Sequence, residues 1–215
     1  MIVVKKMILK KAGLAARAAG SGPEAGGDSR TGSSDACPGG LFPGGGKALV
    51  LGSDGASGAV CCALRAAGFS PVIISRTGEN NYGNLRLHRD VSVIVNTTPV
   101  GMYPGNGEAP LSLRGFPNLR GVLDIIYNPA RTALLLEAES LGIPCAGGLY
   151  MLVAQAKRAS ERFTGREIPD TETDRIFRLL SGKMQNIVLT GMPGCGKSTI
   201  AALLGERLGR PVLDT

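Results

Sequence analysis

Residues 48–58 read Ala-Leu-Val-Leu-Gly-Ser-Asp-Gly-Ala-Ser-Gly, and this stretch decides the fold. The first four residues form a short apolar run typical of a buried strand, and the next seven form a glycine-rich turn. Residues 59–67 favour a helix that ends at Gly68. Small residues in such a turn let backbone N–H groups and a helix amino end approach a pyrophosphate closely. The order strand, turn, helix therefore predicts either a dinucleotide site or a glycine-rich turn without a ligand.

Further apolar runs continue the same alternation along the chain. Runs rich in β-branched residues predict strands at 71–75, 91–95 and 122–126, and helices are predicted at 132–141, 150–163 and 171–180. Strands that alternate with helices indicate a parallel sheet covered on both faces. We therefore predict an α/β fold: a doubly wound, Rossmann-like domain over residues 47–147, followed by helices over residues 148–183.

The first 46 residues differ from the rest in composition. They contain 11 Gly and 3 Pro, and no helical or strand period extends past Ala19. Such a segment buries too little apolar area to offset its ordering entropy. We predict that residues 1–46 are a flexible leader, with a short basic helix as an option for residues 1–19.

Composition and charge exclude several classes of protein. The net charge is +7, but Lys and Arg are scattered and are not interleaved with aromatic residues, which argues against a nucleic-acid partner. Five cysteines without a C-x-x-C pair indicate reduced thiols in a cytoplasmic protein. No apolar run reaches the roughly 18 residues of a membrane span. The single histidine, His88, is interpreted as a surface or loop residue.

The residues after the second predicted strand bear on the choice of dinucleotide. An NAD site usually has Asp or Glu at this point for the ribose 2′-hydroxyl, whereas this chain has Ser-Arg-Thr at residues 75–77. A guanidinium and a hydroxyl suit a 2′-phosphate. Arg76 and Thr77 therefore predict NADP.

Three later motifs carry a family resemblance. They are Asn-Thr-Thr-Pro-Val-Gly-Met at 96–102, Asp-Ile-Ile-Tyr-Asn-Pro at 124–129, and Gly-Gly-Leu-Tyr-Met-Leu-Val-Ala-Gln-Ala at 147–156. In this order they resemble the signatures of the shikimate dehydrogenase family, and the resemblance covers residues 47–182. Taken singly, each has a plainer interpretation: Pro99 ends a strand, Asn128-Pro129 forms a turn, and Met151 belongs to a core.

The resemblance implies a role for each matching residue. Gly52, Gly55 and Ala56 would lie under the pyrophosphate of NADP. The nicotinamide end would be bordered by Thr97, Pro99, Met102, Gly148 and Met151. Tyr127 and Gln155 would contact shikimate or 3-dehydroshikimate, since an amide can both donate to and accept from a polyol. Two departures oppose NADP binding: Asp54 replaces a usual Gly in the turn, and Glu79 lies near the adenosine-phosphate pocket.

The resemblance also implies that part of the enzyme is missing. Ketone reduction requires a proton donor, and in this family a Lys–Asp pair in an amino-terminal substrate domain supplies it. The 46 leading residues do not match that domain, so no catalytic residue is assigned, and we expect the chain alone to be inactive. The alternative is a dinucleotide-binding module without chemistry of its own.

A second motif lies near the carboxyl terminus. Residues 191–199 read Gly-Met-Pro-Gly-Cys-Gly-Lys-Ser-Thr and match the phosphate-binding pattern G-x-x-x-x-G-K-[ST]. A strand is predicted at 187–190, a helix at 197–208 and a strand start at Val212. The predicted ATP-phosphate ligands are Gly191, Gly194, Cys195, Gly196, Lys197, Ser198 and Thr199, with Ser198 also on Mg²⁺.

Residues 186–215 resemble the opening of the shikimate kinase family. That resemblance makes Asp214 a further Mg²⁺ ligand and makes residues 184–215 a truncated kinase segment. A dehydrogenase followed by a kinase that acts on its product would place consecutive steps on one chain. A stand-alone NTPase is disfavoured, because the downstream strands and lid have no match in the sequence.

Overall fold

The computed structural model describes residues 45–213. The described chain divides into two compact units, with the boundary between Leu179 and Leu180. The predictions for the leader fall on residues 1–44, outside the described residues, and Gly46 already begins the first strand. Each unit is described below by itself.

The first unit is built on a five-stranded parallel sheet in the order β2-β1-β3-β4-β5. The strands are β1 (Gly46–Leu51), β2 (Phe69–Ile74), β3 (Val93–Asn96), β4 (Gly121–Asp124) and β5 (Cys145–Ala146). The chain moves outward from β1 to β2 and then crosses to β3, so the strand order reverses beside β1. In open α/β sheets, ligands bind at the carboxyl ends of the strands at such a switch point.

Both faces of the sheet are covered, as predicted for a doubly wound fold. In β1, Ala48 and Val50 pack into one core and Leu49 and Leu51 into the other, because alternate side chains of a strand point to opposite faces. The first core also contains Val60 and Leu64 of helix α1 (Ser57–Ala66). The second contains Leu134 and Ala138 of helix α2 (Ala133–Ser140).

Two longer helices follow the sheet, α3 (Leu149–Thr164) and α4 (Asp170–Met184). Tyr150 at the start of α3 packs against the first core and meets the ring of Phe177 edge to face, with 5.5 Å between ring centroids. Such aromatic pairs add roughly 0.5–1.5 kcal/mol beyond their buried area. The Lys157 ammonium also donates to the Asp170 carboxylate at 2.7 Å. These contacts join α3 to the first half of α4.

In the second unit, helix α5 (Lys197–Leu208) matches the predicted helix, but the strand predicted at 187–190 is wrong. Within the described part of the chain these residues pair with no strand, and Val188 is 78% exposed. An apolar run becomes a strand only when a neighbouring strand accepts its N–H groups. The strand start predicted at Val212 is also unpaired, and Asp214 lies outside the described residues.

Strand β5 is an addition that the sequence analysis missed. It has only two residues, Cys145 and Ala146, which pair with Val122 and Leu123 of β4. A run this short has no readable period. The strand matters because it places residues 147–148 next to the end of β4.

Candidate functional site

The turn after β1 requires glycine at its first position. Gly52 has a φ of +101° and its N–H donates to the Ile74 carbonyl at 2.8 Å, which ties the turn to β2. A Cβ at Gly52 would lie 3.0 Å from Thr98 Cγ2 and 3.1 Å from Thr97 Oγ1. The close approach of the loop after β3 therefore leaves no room for a side chain here.

The rest of the turn is open. A Cβ at Gly55 or Gly58 would meet nothing within 4 Å beyond its chain neighbours and, at Gly58, the backbone of its own helix. Ala56, the residue before α1, provides no side-chain cap to the first N–H groups of the helix, of which that of Ser57 donates to the Asp54 backbone carbonyl. A turn with this shape and these donors fits a pyrophosphate. Asp54 is exposed, and only its backbone carbonyl is engaged, with the N–H of Ser57 at 3.0 Å.

The loop after β2 presents Arg76 and Thr77 to solvent. It is held by polar contacts of its own: Ser75 Oγ accepts from the Gly78 N–H at 2.8 Å, and the Asn81 N–H donates to Asn84 Oδ1 at 2.9 Å. Asn84 Nδ2 donates to the Glu79 carbonyl at 2.8 Å. The asparagines were missed in the sequence analysis, although a run of Asn and Gly is a signal for such local bracing.

The interpretation of His88 as a surface residue is wrong. His88 ends a short 3-10 helix (Leu85–His88) and is only 7% exposed. Its Nε2 lies 3.0 Å from Asn80 Oδ1 in the loop after β2, whereas the buried Nδ1 has no hydrogen-bond partner. Burial and the nearby Lys47 ammonium lower the pKa of His88, against an opposing effect of Asp90. The neutral imidazole therefore helps to hold the arginine-bearing loop.

The loop after β3 carries three of the predicted nicotinamide-end residues. Thr97 Oγ1 donates to the Leu51 carbonyl at 2.6 Å, so its hydroxyl ties β3 to β1. Pro99 is exposed, and Met102 is 45% exposed. The loop therefore offers Pro99 and Met102 to a ligand and uses Thr97 for anchoring.

The carboxyl ends of β3 and β4 contain a buried polar network that the sequence analysis missed. We refer to Asn96, Asp124 and Thr132 as the hub residues. Asn96 Nδ2 donates to Asp124 Oδ1 at 3.1 Å, and Thr132 Oγ1 donates to Asp124 Oδ2 at 2.7 Å. Asp124 is fully buried. Burial raises the pKa of its carboxyl group, and bonds from the Ile126 N–H, Thr132 and Asn96 oppose that rise.

The residues after β4 and β5 complete the candidate site at the carboxyl ends of the strands. Tyr127 is 45% exposed, and Gln155 on α3 is exposed. Met151 is half-buried against the first core, as the plainer interpretation proposed. Gly148 lies so close to the preceding loop that a Cβ would come within 1.8 Å of the Ile125 carbonyl oxygen. This crowding explains Gly148 without any ligand.

The second unit holds the phosphate-binding motif in a glycine-bent loop before α5. Gly194 and Gly196 have φ values of +78° and +81°. Lys197 Nζ donates to the carbonyls of Gly191 and Met192 at 3.0 and 2.9 Å, and Cys195 is exposed. Between residues 45 and 213, no group of three or more His, Cys, Asp or Glu is arranged to hold a metal ion, and no helix is long and apolar enough to cross a membrane.

Comparison with known proteins gives relatives that carry the same description. A shikimate dehydrogenase (NADP(+)) from Caldanaerobacter subterraneus subsp. tengcongensis is 32% identical over 158 residues, which are 64% of this chain and 55% of the relative. The chain thus spans about half the length of the curated relatives that it matches. No model of a protein family matches the chain.

Solved structures point the same way. A chorismate mutase/shikimate 5-dehydrogenase fusion protein from Clostridium acetobutylicum has a TM-score of 0.60 and 33% identity, covering 65% of this chain and 56% of that one. The shikimate 5-dehydrogenase of Thermus thermophilus, solved with NADP(H) and shikimate, has a TM-score of 0.53 and 31% identity, covering 61% and 54%. Over about two thirds of its length, the chain is thus similar in fold and sequence to shikimate dehydrogenases.

Proposed function

We propose that the first unit is the NADP-binding half of a shikimate dehydrogenase, which interconverts 3-dehydroshikimate and shikimate. The observation that carries the proposal is the meeting of three motifs at one edge of a parallel sheet. The turn at Gly52, the loop from Thr97 and the loop from Ile125 all follow the carboxyl ends of adjacent strands, β1, β3 and β4. The similarity to shikimate dehydrogenases supports the assignment.

In this proposal, each loop at the carboxyl ends of the strands binds a different part of NADP or the substrate. The backbone of Gly52, Gly55 and Ala56 binds the pyrophosphate, and the open space above Gly55 fits that group. Arg76 and Thr77 bind the 2′-phosphate from their exposed loop. NADP, when bound, accepts or supplies the hydride.

The remaining residues orient the two reactants. Pro99, Met102 and Met151 border the nicotinamide, with Thr97 and Gly148 shaping the loops that carry the contacts. Tyr127 and Gln155, both exposed at the edge, bind the hydroxyls of shikimate. We propose no proton donor within residues 45–213, and we expect the purified chain to show no NADP-dependent oxidation of shikimate.

The test is calorimetric titration with NADP⁺ and, separately, NAD⁺. We expect binding that prefers NADP⁺, and Arg76→Ala should weaken NADP⁺ binding roughly tenfold or more, as for a charge-assisted contact. Arg114→Ala, which removes another exposed arginine, is the matched control. Equal affinity for the two dinucleotides, or an Arg76→Ala variant that binds like the parent, would overturn the assignment of Arg76.

A dinucleotide-binding module without chemistry is the second candidate for the first unit. It predicts the same titration but no response to shikimate. Adding shikimate to the NADP⁺ complex separates the two, because substrate contacts at Tyr127 and Gln155 would give additional heat, whereas a pure cofactor module would give none.

For the second unit we propose the opening of a shikimate kinase, with Gly191, Gly194, Cys195, Gly196 and Thr199 around the phosphates, Lys197 neutralising them and Ser198 on Mg²⁺. Lys197 now donates to two loop carbonyls, which a phosphate would replace as its partner. Mg·ATP titration should show weak binding that Lys197→Ala abolishes and Lys183→Ala leaves intact. Asp214 remains a proposed second Mg²⁺ ligand.

A further inference from the structure

The hub residues form a closed set of hydrogen bonds. The Asn96 amide donates to Asp124 and to the Val100 carbonyl, and its oxygen accepts from the N–H and the hydroxyl of Thr98 at 3.0 and 2.7 Å. Asp124 Oδ1 also accepts from the Ile126 N–H at 3.0 Å. Asn96 and Asp124 are each fully buried. The set therefore has little freedom to rearrange without leaving a buried polar group unpaired.

The same set fixes two loops at once. Thr98 and Val100 belong to the loop after β3, and Ile126 belongs to the loop after β4. Thr132 closes the set at the other end, where its hydroxyl also accepts from the Leu135 N–H and caps α2. A backbone bond from the Tyr103 N–H to the Asn128 carbonyl, 3.1 Å long, adds a second link between the loops.

Fold stability alone gives a poor account of this arrangement. A buried carboxylate loses its hydration, and replacing buried charged groups by apolar side chains of similar volume often leaves the fold as stable as before or makes it more stable. What an apolar cluster lacks is direction: hydrogen bonds fix the orientation of the groups they join, whereas apolar contacts tolerate sliding. The hub therefore suits a place where two loops must keep one alignment.

We propose that Asp124 and Thr132 are positioning residues that align the loops after β3 and β4 around the nicotinamide end of NADP. This inference rests on the proposed function of the first unit. Neither side chain reaches the ligand, because both are buried; they act through Met102 and Tyr127, which the loops present at the surface. The adenosine end, at Arg76 and Thr77, lies on the loop after β2, and within the described residues none of the hydrogen bonds of the hub residues goes to that loop.

The test compares two ligands on the full chain. NADP⁺ occupies both ends of the site, whereas adenosine 2′,5′-bisphosphate lacks the nicotinamide. Thr132→Val removes the hydroxyl at nearly constant side-chain volume. We expect this variant to bind NADP⁺ roughly five- to tenfold more weakly, which corresponds to the free energy of one lost hydrogen bond, and to bind the bisphosphate less than twofold more weakly. Thr132→Ser, which keeps the hydroxyl, should restore NADP⁺ binding.

A spectroscopic readout separates positioning from stability. Bound NADPH fluoresces according to the surroundings of its nicotinamide, so Thr132→Val should change the emission of the saturated complex and Thr132→Ser should not. Ser112→Ala deletes an exposed hydroxyl that bonds to Glu137 and controls for hydroxyl loss elsewhere. If Thr132→Val does not fold, Thr98→Val removes a half-buried hydroxyl of the same set and carries the same expectation.

The outcomes distinguish the two proposals. Binding of neither ligand by the parent chain would overturn the proposed NADP site and the inference with it. Binding of both by the parent, with both affinities lowered equally or neither affected in Thr132→Val, would overturn the positioning role alone. A selective loss of NADP⁺ affinity with altered NADPH emission supports it.

Discussion

Replacing Gly148 by alanine should destabilise the first unit strongly. The backbone dihedrals of Gly148, φ −75° and ψ −8°, suit any residue, so the objection to a side chain is purely steric. An added Cβ would lie 1.8 Å from the Ile125 carbonyl oxygen and 2.4 Å from its carbon. Both are backbone atoms, which cannot move aside as a flexible side chain can.

The size of the effect follows from the displacement required. A Cβ contact below 3.0 Å essentially never occurs, so the backbones must separate by the difference between 1.8 and 3.0 Å. That separation strains the 2.8 Å bond from the Gly148 N–H to the Ile126 carbonyl. Overpacking costs about 1–3 kcal/mol and a lost hydrogen bond about 1 more, so we expect a loss of about 2–4 kcal/mol.

The assay is urea unfolding followed by circular dichroism, in which the midpoint falls while the slope stays constant if only stability changes. Gly58→Ala is the control, because its Cβ meets nothing within 4 Å and it lies in α1. It should stabilise by up to about 1 kcal/mol from helix propensity. A Gly148→Ala midpoint within error of the parent would refute the steric argument.

Three further predictions concern the buried side chains of His88 and Asp124 and the tight turn at Gly52. Folding lowers the pKa of His88, so the neutral imidazole stabilises the fold at pH values above the unfolded pKa of 6.5, and this stability is lost as the pH falls. His88→Gln should therefore reduce the loss of stability on acidification, measured as urea midpoints between pH 7 and 5. Folding raises the pKa of Asp124, so the protonated carboxyl group contributes stability that is lost as the pH rises above the unfolded pKa of 3.8. On acidification the parent should therefore gain stability relative to Asp124→Asn. A difference in stability between the two proteins that does not change with pH would contradict this. Gly52→Ala, at a φ of +101° and against Thr97 and Thr98, should lower the thermal midpoint and weaken NADP⁺ binding, whereas Gly58→Ala should leave the midpoint unharmed.

Local patterns were sufficient to predict most of the first unit. The apolar run of β1 and the glycine turn after it predicted a strand, a tight bend and a helix, and the structure has them at Gly46–Leu51, Gly52 and Ser57–Ala66. Parallel pairing then placed the motifs of β3 and β4 at one edge, since the carboxyl ends of parallel strands coincide. The proposed cofactor-binding turn and its two neighbouring loops could thus be found from the sequence alone.

Contacts between distant residues could not be predicted in this way. Asn96 and Asp124 are 28 positions apart, and only the pairing of β3 with β4 sets their amide and carboxylate 3.1 Å from each other. The burial of His88 could not be predicted either, because it depends on the residues that fold over the side chain. The run at 187–190 shows the converse, since an apolar sequence does not form a strand without a partner. Sequence by itself determined the order of elements and the turns, which depend on neighbours along the chain; tertiary structure decided burial, strand pairing and the buried polar network, because desolvation and hydrogen bonding depend on neighbours in space.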